Sequence, residues 1–462
     1  MATFPAAAIP DIYSFITVRR EAFGGFLFNP YMFSEVSLNP IEYRILEATH
    51  GNNTVDELST LVSRDFNVAP ESARTIVDEA LQRFNSHYAI HWRKEKVQGV
   101  PVEDHSTDVP SQPGSSSFIE YFTAPLSVIF ELTHRCNLEC PHCLVSAGAP
   151  ENNELTLDEI KDILDQLKNM KVFTVNFGGG EPLLRKDIFE ILQHASDLHM
   201  GIVISTNGYL VNEDVIDRLE NINAFSVQIS VDGLESTHDA FRGKKGSFRK
   251  AVDALKAFAD RGYFTTMSTM ILKDNKDQME ELIQLCQAIG VTSFKLSSFM
   301  PAGRGQESSY DYSLTRDELK VFAGQMNEIK ERYSDSVYID DKATYSFLEE
   351  IENDSSDPGD ARMAHRIGCS AGRSSLVISP TGEAFPCPFL LSEPAGDLRQ
   401  MNLSQIWENS DILKVFRHIN SSQLKGKCKN CHHIPLYCQG GCRAAAYLVT
   451  GDLYGEDPFC WC

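Results

Sequence analysis

The chain has 462 residues, of which 42% are hydrophobic and 23% are charged, values that are ordinary for a folded globular protein. Its net charge is −22, from 42 Lys and Arg against 64 Asp and Glu, which argues against a surface that binds nucleic acid or an anionic membrane. No apolar run reaches the ~18 residues that a membrane span needs, and the N-terminus lacks the pattern of a signal peptide. We therefore expect a cytoplasmic protein whose partners include neither nucleic acid nor a membrane.

Residues 1–97 are predicted to form a small winged-helix-like unit, in which a β-hairpin is followed by three helices. The hairpin is predicted from the strand-like segments Ser14–Arg20 and Phe26–Phe33 on either side of Gly24 and Gly25. The helices are predicted from two N-terminal capping patterns and one apolar face: Asn39-Pro40, Thr54 with Glu57, and Ile76, Val77, Ala80, Leu81 and Phe84. Residues 98–117, rich in Pro, Ser and Gly, are predicted to be a linker.

Strand-like and helix-like segments alternate within residues 118–310. The predicted strands are Leu126–Leu132, Val172–Phe177, Ile202–Ser205, Phe225–Val231, Thr265–Ile271 and Phe294–Ser298. Six such β-α units predict an α/β fold with a parallel sheet curled into a partial (β/α)6 barrel. Ligands of such sheets bind at the C-terminal ends of the strands, which is where a cysteine trio and the motifs GGGEP, STNG and SVDG fall.

The remainder divides into a predicted helical bridge, 311–365, and a cysteine-rich unit, 366–462. Of the twelve cysteines, eight lie in this last unit, three form the trio, and Cys286 stands alone in an apolar helical pattern that predicts a core residue. In a reducing compartment, clustered cysteines are more often metal ligands than disulfides. The sequence therefore predicts metal centres in two places.

The cysteine trio, Cys136, Cys140 and Cys143, follows the first predicted strand in the segment ELTHRCNLECPHC. Three thiolates can hold three irons of a four-iron cluster and leave the fourth iron open to the amino and carboxylate groups of S-adenosylmethionine (SAM). The alternatives are a zinc site, which generally needs four protein ligands when structural, or buried cysteines without a metal.

This motif resembles the signature of the radical SAM superfamily, and the supporting motifs follow in the family's order. The resemblance implies that a [4Fe–4S] cluster on the trio reductively cleaves SAM to a 5′-deoxyadenosyl radical. It also implies a set of residues that contact SAM: Gly179, Gly180, Glu181 and Pro182 near the amino group, Ser230 near the ribose or carboxylate, Arg242 at the carboxylate, and Asn207 near SAM. The alternative is that Asn207 and Ser230 only shape turns and that Arg242 is a surface charge.

The C-terminal cysteines resemble the SPASM domain, which usually binds two auxiliary [4Fe–4S] clusters, making three clusters in all. The resemblance implies one cluster on Cys428, Cys431, Cys438 and Cys460 and another on Cys369, Cys387 and Cys442. The eighth ligand stays open between Cys462, a substrate thiolate and another group, and Cys462 is also an alternative to Cys460. A zinc ribbon is the other interpretation, because CxxC pairs commonly bind zinc.

Residues 1–97 resemble the PqqD-like peptide-recognition element, which binds the leader of a ribosomally made precursor peptide by strand addition to the hairpin edge. A winged helix also commonly binds DNA. The three modules together resemble peptide-maturing radical SAM/SPASM enzymes, among them the sactipeptide synthases, thioether-forming enzymes that include the subtilosin maturase. The resemblance is carried by the segments FELTHRCN and FRGKKGSF.

This resemblance implies oxidation of a precursor peptide, a Cys thioether cross-link as product, and an electron donor of the flavodoxin or ferredoxin type. One alternative is oxidation of a small molecule such as a haem precursor, because CRAAAYLVTGD resembles the corresponding stretch of radical SAM enzymes that act on haem precursors or on other peptides. Another is a non-catalytic, zinc-binding protein that recruits a peptide.

Overall fold

The structure, a computed structural model, describes residues 3–97, 121–222, 225–306, 312–345, 369–434 and 438–462. The predicted linker 98–117 therefore lies outside the described residues. The chain divides into two compact units, one of residues 1–123 with 199–201 and one of residues 124–198 with 202–462. The finer domain boundaries stay predictions. Within the described residues, no helix has the length and apolar character that crossing a membrane requires.

The N-terminal unit is built from β1 (Ile9–Ile12), β2 (Thr17–Glu21), β3 (Gly24–Asn29), β4 (Ser34–Leu38), α1 (Pro40–Glu47), α2 (Val55–Phe66), α3 (Pro70–Ser86) and β5 (Ile90–Arg93). β2, β3 and β4 form one antiparallel sheet, and β1 pairs with β5 in a second. The predicted hairpin and three helices are confirmed. The strands β1, β4 and β5 are not among the predicted elements. β1 and β5 have only four residues each, too few to distinguish them from loops, whereas β4 alternates exposed and buried residues as a strand does.

The first two helices of this unit begin where their capping residues predict. The side chains of Asn39 and Thr54 accept hydrogen bonds from the backbone N–H groups of Glu42 and Glu57. The carboxylate of each glutamate in turn accepts the backbone N–H of the capping residue. The predicted apolar face of α3 packs into the core of the unit, where Leu81 is fully buried. Local capping and tertiary burial therefore agree in this part of the chain.

Residues 121–123 return to the N-terminal sheet. Thr123 donates both its backbone N–H and its hydroxyl to the carboxylate of Glu21, at 3.0 Å each. Glu21 is buried and also accepts Nε of Arg19 at 2.8 Å. The ring of Phe122 packs edge-on against Phe26, with 5.2 Å between ring centroids. These contacts explain why the first compact unit extends as far as Thr123.

Replacing Thr123 by Val removes a hydroxyl that donates to a buried carboxylate. We expect the free energy of unfolding of the N-terminal unit to fall by about 1–3 kcal/mol, because Glu21 keeps its burial but loses a partner. The control is Thr60→Val, since the Thr60 hydroxyl donates to a backbone carbonyl on an exposed helix face and its loss should cost less than about 0.5 kcal/mol. Hydrogen–deuterium exchange of the β2 and β3 amides measures both, and equal protection in the two variants would contradict the expectation.

The remaining elements are, in chain order, β6 (Ser127–Thr133), α4 (Leu157–Asn169), β7 (Thr174–Gly179), α5 (Ile188–Asp197), β8 (Gly201–Thr206), α6 (Glu213–Leu219), β9 (Phe225–Ser230), α7 (Glu235–Arg242), α8 (Ser247–Asp260), β10 (Phe264–Ile271), α9 (Met279–Ile289), β11 (Ser293–Ser298), α10 (Arg316–Tyr333), β12 (Tyr338–Asp340), β13 (Ser375–Ile378), β14 (Glu383–Phe385), β15 (Gly396–Asp397), α11 (Leu403–Asn409), α12 (Asp411–His418) and α13 (Arg443–Thr450). β6 to β12 stand side by side in chain order in one sheet. The pairs β6–β7, β8–β9, β9–β10, β10–β11 and β11–β12 are parallel, which confirms the predicted α/β class.

The sheet continues beyond the six predicted strands at both edges. β12 adds to β11, so the described part of the predicted helical bridge contains a strand as well as the helix α10. At the other edge β13 pairs with β6 in parallel, from Ser375 opposite Ser127 to Ile378 opposite Phe130, and β14 and β15 follow. The cysteine-rich C-terminal region is therefore built onto the same sheet as the core.

The two faces of the parallel strands differ in burial. Along β10, Met267 and Ile271 are buried, whereas Thr266 and Ser268 are only half-buried. Cys286, on α9, is fully buried beside the sulfur of Met267, at 3.6 Å, and burial raises the pKa of its thiol to about 12. The prediction that Cys286 is a core residue is confirmed. The half-buried face of β10 carries the hydroxyl groups of Thr266 and Ser268.

Candidate functional site

The cysteine trio lies in the loop after β6. The N–H of Cys136 donates to the carbonyl of Gly148 at 3.0 Å, which closes the loop, and Sγ of Cys143 accepts the N–H of Ala147 at 3.2 Å. Cys140 is 7% exposed. The three thiols are near enough for the charge of one to affect the pKa of another. The structure thus brings together the three cysteines that the sequence groups.

Burial raises the pKa of the Cys136 and Cys140 thiols, and the neighbouring thiols add to the effect. Thiolates in such a place need a nearby positive charge, which iron ions supply to their ligands. Among the residues that the structure describes, no three His, Cys, Asp or Glu side chains are grouped around a single-ion site. A four-iron cluster does not require such a grouping, because each thiolate binds a different iron.

Gly179 and Gly180 let the loop after β7 touch the cysteine loop. A Cβ on Gly180 would lie 2.3 Å from the carbonyl oxygen of Arg135, and one on Gly179, where φ is +116°, would lie 2.4 Å from that of Thr133. The N–H groups of Gly180 and Glu181 donate to the same two carbonyls, Thr133 at 2.7 Å and Arg135 at 2.9 Å. Only glycine permits this contact between the two backbones.

The carboxylate of Glu181 is fully buried and points into the protein. It accepts the hydroxyl of Thr206 at 2.8 Å, the N–H of Asn207 at 2.9 Å and the N–H of Leu183 at 3.1 Å. Burial raises its pKa to about 6, although these hydrogen bonds act in the opposite direction. Glu181 therefore joins the end of β8 to the loop after β7, and Pro182 begins the short turn that follows. The predicted contacts of both residues with SAM stay predictions.

Asn207 and Ser230 lie at the C-terminal ends of the neighbouring strands β8 and β9. Nδ2 of Asn207 donates to Oδ1 of Asn137 at 2.8 Å, which ties the STNG loop to the cysteine loop. Ser230 ends β9 on the half-buried face, level with Ser268 on β10 and Lys295 on β11. Residues in register on parallel strands point to the same face, so this row supplies hydroxyl groups and an ammonium to the polar side of the sheet.

Arg242 is buried and pairs with Asp232. Its Nε and Nη2 lie 2.6 and 2.5 Å from Oδ2 of Asp232, and its Nη1 lies 3.7 Å from Sγ of Cys140. Burial alone would raise the pKa of Asp232, but the Arg242 charge, with lesser help from neighbouring histidines, holds it below its usual value. A SAM carboxylate, the partner that the sequence predicts for Arg242, would have to share a guanidinium that an aspartate already binds.

The C-terminal cysteines form two groups in the structure. The first contains Cys369, Cys387 and Cys442, and the second contains Cys428, Cys431, Cys438 and Cys460. These are the two sets that the SPASM resemblance implies, although the ligand role of each cysteine stays a prediction. Cys462 lies beside the second group, where its N–H donates to the Cys460 thiol and its carbonyl accepts Nζ of Lys427 at 3.2 Å.

Burial raises the pKa of the Cys442 thiol to about 12, and the charge of Cys369 contributes to the shift. It raises the pKa of Cys438 to about 11, with Cys460 and Cys431 as contributors. Clustered, buried and soft donors of this kind fit iron–sulfur clusters, whose positive charge stabilises the thiolates.

The comparisons with known proteins agree with this geometry. Residues 130–286 match the radical SAM superfamily, and residues 369–432 match SPASM, an iron–sulfur cluster-binding domain. Mycofactocin maturase MftC of Mycolicibacterium smegmatis is 34% identical over 342 residues, which cover 73% of this chain and 83% of that protein. The chain belongs to the radical SAM superfamily. This radical SAM enzyme therefore uses SAM and [4Fe–4S] clusters as its cofactors.

Two further relatives bear on the enzyme's fold and chemistry. AdoMet-dependent heme synthase of Methanosarcina barkeri is 30% identical over 346 residues, which cover 73% of this chain and 96% of that protein. The crystal structure of Streptococcus suis SuiB bound to precursor peptide SuiA aligns with a TM-score of 0.73 over 97% of this chain and 99% of that one. Its sequence identity is 18%, so this likeness concerns the fold.

Sequence reasoning missed Arg304, which holds the cysteine loop of this radical SAM enzyme. Its Nε donates to the carbonyl of Cys140 at 3.0 Å, and its Nη1 donates to that of Ala147 at 2.6 Å. Its backbone N–H donates to the carbonyl of Cys143 at 3.0 Å, beside Gly303, where a Cβ would lie 2.4 Å from the same oxygen. The available signal is the segment PAGRG, which follows the last predicted strand.

His142, inside the trio, was also missed. Its ring stacks on Phe241, with 4.5 Å between centroids and 11° between planes. Burial lowers its pKa to about 3, and the charge of Arg242 lowers it further, so the imidazole is neutral at pH 7. The histidine therefore contributes a flat, uncharged ring to the cysteine loop.

Replacing Arg304 by Met removes two side-chain hydrogen bonds from the cysteine loop. At about 1 kcal/mol for each bond, we expect the ordered conformation of the loop to lose roughly 2 kcal/mol of stability. This shifts the equilibrium between the ordered and the disordered loop about 30-fold. The reconstituted variant should then lose the trio's cluster to a chelator faster while it keeps its auxiliary clusters. Iron content and electron paramagnetic resonance (EPR) spectra measure this outcome.

The matched control is Arg249→Met, because Arg249 is exposed and pairs only with Glu235 at the surface among the described residues. Equal rates of iron loss from the two variants would show that Arg304 does not hold the loop.

Proposed function

We propose that this enzyme oxidises a ribosomally made precursor peptide and closes a Cys thioether cross-link. The observation that carries the proposal is the N-terminal sheet-and-helix unit in the same chain as the trio and the auxiliary cysteines. SuiB, which shares this fold along 97% of the chain, is described with its precursor peptide SuiA bound, and MftC is named as a maturase.

The N-terminal sheet offers an entry point for a leader peptide. In the order β2-β3-β4, the outer strands β2 and β4 each have one strand partner among the residues that the structure describes, and an edge strand offers backbone groups that an extended peptide can pair with. Binding there would raise the local concentration of the peptide segment to be modified.

The residues around the trio hold the cysteine loop in place and set the charge next to it. Bound SAM, with the cluster, supplies a carbon-centred oxidant when an electron arrives. Arg304, Gly180 and Asn207 hold the cysteine loop against its neighbours, and Arg242 places a positive charge beside Cys140. The half-buried row of Ser230, Ser268 and Lys295 presents polar groups toward the open side of the sheet. We infer a donor of the flavodoxin or ferredoxin type, and a cytoplasmic setting whose reducing conditions keep the cysteines available as cluster ligands rather than as disulfides.

Oxidation of a haem precursor is the second candidate, supported by the 30% identity to AdoMet-dependent heme synthase. The N-terminal unit separates the two candidates, because a small molecule has no leader to bind. Membership of the radical SAM superfamily leaves the non-catalytic zinc-binding hypothesis without support.

Deleting residues 1–123 should abolish turnover of a leader-bearing peptide and leave uncoupled SAM cleavage intact. The cut at 123 follows the boundary of the first compact unit. The control is the full chain with Cys136, Cys140 and Cys143 replaced by Ala, which should lose both activities but retain auxiliary iron. Mass spectrometry of the peptide measures peptide turnover, and chromatography of 5′-deoxyadenosine measures SAM cleavage. Equal peptide turnover with and without residues 1–123 would refute leader recognition.

The thioether proposal makes a separate prediction about the group of Cys369, Cys387 and Cys442. We expect a substrate thiolate to complete the cluster there, which fixes the sulfur close to the carbon radical. In the trio-to-Ala variant, a Cys-containing peptide should change the EPR spectrum of an auxiliary cluster, and the same peptide with Ser in place of Cys should not. Cys462→Ala should keep its auxiliary iron. Loss of the cluster on Cys369, Cys387 and Cys442 in Cys462→Ala would identify Cys462 as the eighth ligand instead, whereas loss of the other cluster would show that Cys462 replaces Cys460.

A further inference from the structure

Tyr345 and Asp457 form a buried pair among the auxiliary cysteines. The hydroxyl of Tyr345 donates to Oδ2 of Asp457, and the same oxygen accepts the backbone N–H of Cys442 at 2.5 Å. Oδ1 of Asp457 accepts the N–H of Phe459 at 2.8 Å. Asp457 is 2% exposed, so both of its oxygens are bound inside the protein.

The pair stands between the two cysteine groups. Asp457 affects the thiols of Cys442, in the first group, and Cys460, in the second, and Tyr345 lies within electrostatic reach of both. The carbonyl of Asp457 also accepts the N–H of Cys460 at 3.4 Å. Gly441 makes room for the carboxylate, because a Cβ there would lie 2.4 Å from Oδ2. The loop of Cys442 is therefore built around this side chain, and the turn at Cys460 hydrogen-bonds to the backbone of the same residue.

The segment that carries Tyr345 also touches the main sheet. At the end of β11, the hydroxyl of Ser298 donates to the carbonyl of Ala343 at 2.7 Å. On the other side, Nε1 of Trp461 donates to the carbonyl of Thr344 at 3.1 Å. Residues 343–345 thus connect the C-terminal end of a core strand to the loop that contains Cys460.

We propose that Asp457, held by Tyr345, is a positioning residue shared by the two auxiliary clusters, and that the buried negative charge of its carboxylate sets the reduction potentials of both clusters. It fixes the backbone at Cys442 through a hydrogen bond and the turn at Cys460 through its own main chain. The inference rests on the two auxiliary clusters, but it does not depend on which substrate the enzyme modifies.

Electrostatics sets the direction of the effect. A buried negative charge beside a cluster makes the addition of an electron less favourable, and a hydroxyl that donates to the carboxylate offsets part of that charge. Removing the charge should therefore raise the potentials, whereas removing the hydroxyl should lower them. A role in folding alone would not move the two variants in opposite directions.

The test compares Asp457→Asn and Tyr345→Phe in the full-length chain with the trio replaced by Ala, so that only the auxiliary clusters contribute. Redox titration followed by EPR gives the midpoint potentials. We expect Asp457→Asn to raise, and Tyr345→Phe to lower, the potential of at least one auxiliary cluster. A tenfold change in the reduction equilibrium corresponds to ~59 mV for a one-electron couple.

Tyr333→Phe is the matched control, because the Tyr333 hydroxyl donates to Oε1 of Glu280 at 3.1 Å, away from the cysteine loops. It should leave the potentials unchanged. Loss of auxiliary iron in Asp457→Asn, with full iron in Tyr345→Phe and Tyr333→Phe, would also support the positioning role. Full iron with unchanged potentials, or shifts of the same sign in Asp457→Asn and Tyr345→Phe, would overturn it. Peptide modification is not a readout here, so failure of the proposed function would be seen separately.

Discussion

The cysteine loop after β6 is held by contacts between backbones, and the rest of the site depends on this constraint. Gly180 and Gly303 meet the loop from two sides, at Arg135 and Cys143, at distances that exclude any Cβ. A cluster with three thiolate ligands has no fourth protein ligand to keep the loop in shape, so the surrounding chain has to do so. The side chains of Asn207 and Arg304 add hydrogen bonds to the same loop.

The two kinds of cysteine site have neighbours of opposite charge. Beside the trio, a guanidinium nitrogen of Arg242 lies 3.7 Å from Sγ of Cys140, and Asp232 balances the arginine. Among the auxiliary cysteines, the charged side chain that accepts a cysteine N–H is Asp457, bound by Tyr345, while Lys427 contacts the backbone of Cys462. A positive neighbour favours the reduced cluster and a negative one disfavours it, so the protein can separate the potentials of clusters that have the same chemical composition.

Much of the architecture follows from patterns that act over a few residues. The capping residues Asn39, Thr54 and Thr156 each satisfy N–H groups within one helical turn, so they mark a helix start regardless of what packs around it. The six core strands are recognisable because each is an apolar run between helical patterns. The pairing of β13 with β6 has no such signal, because Ser375–Ile378 has only four residues and its partner lies far away in the chain.

The sequence by itself determined the trio and the glycines of GGGEP, because ligand spacing within a loop and glycine-dependent turns are local properties of the chain. The grouping of the later cysteines, which are far apart in the chain, was implied only by the resemblance to the SPASM domain. The tertiary structure alone decided what surrounds them. Arg304 reaches Cys140 across 164 positions, and Tyr345 reaches Asp457 across 112, so neither contact exists until the sheet has formed. Arg242 shows the same limit: its position was predictable, but its pairing with Asp232 was not, because a buried guanidinium binds whichever carboxylate the fold places within reach.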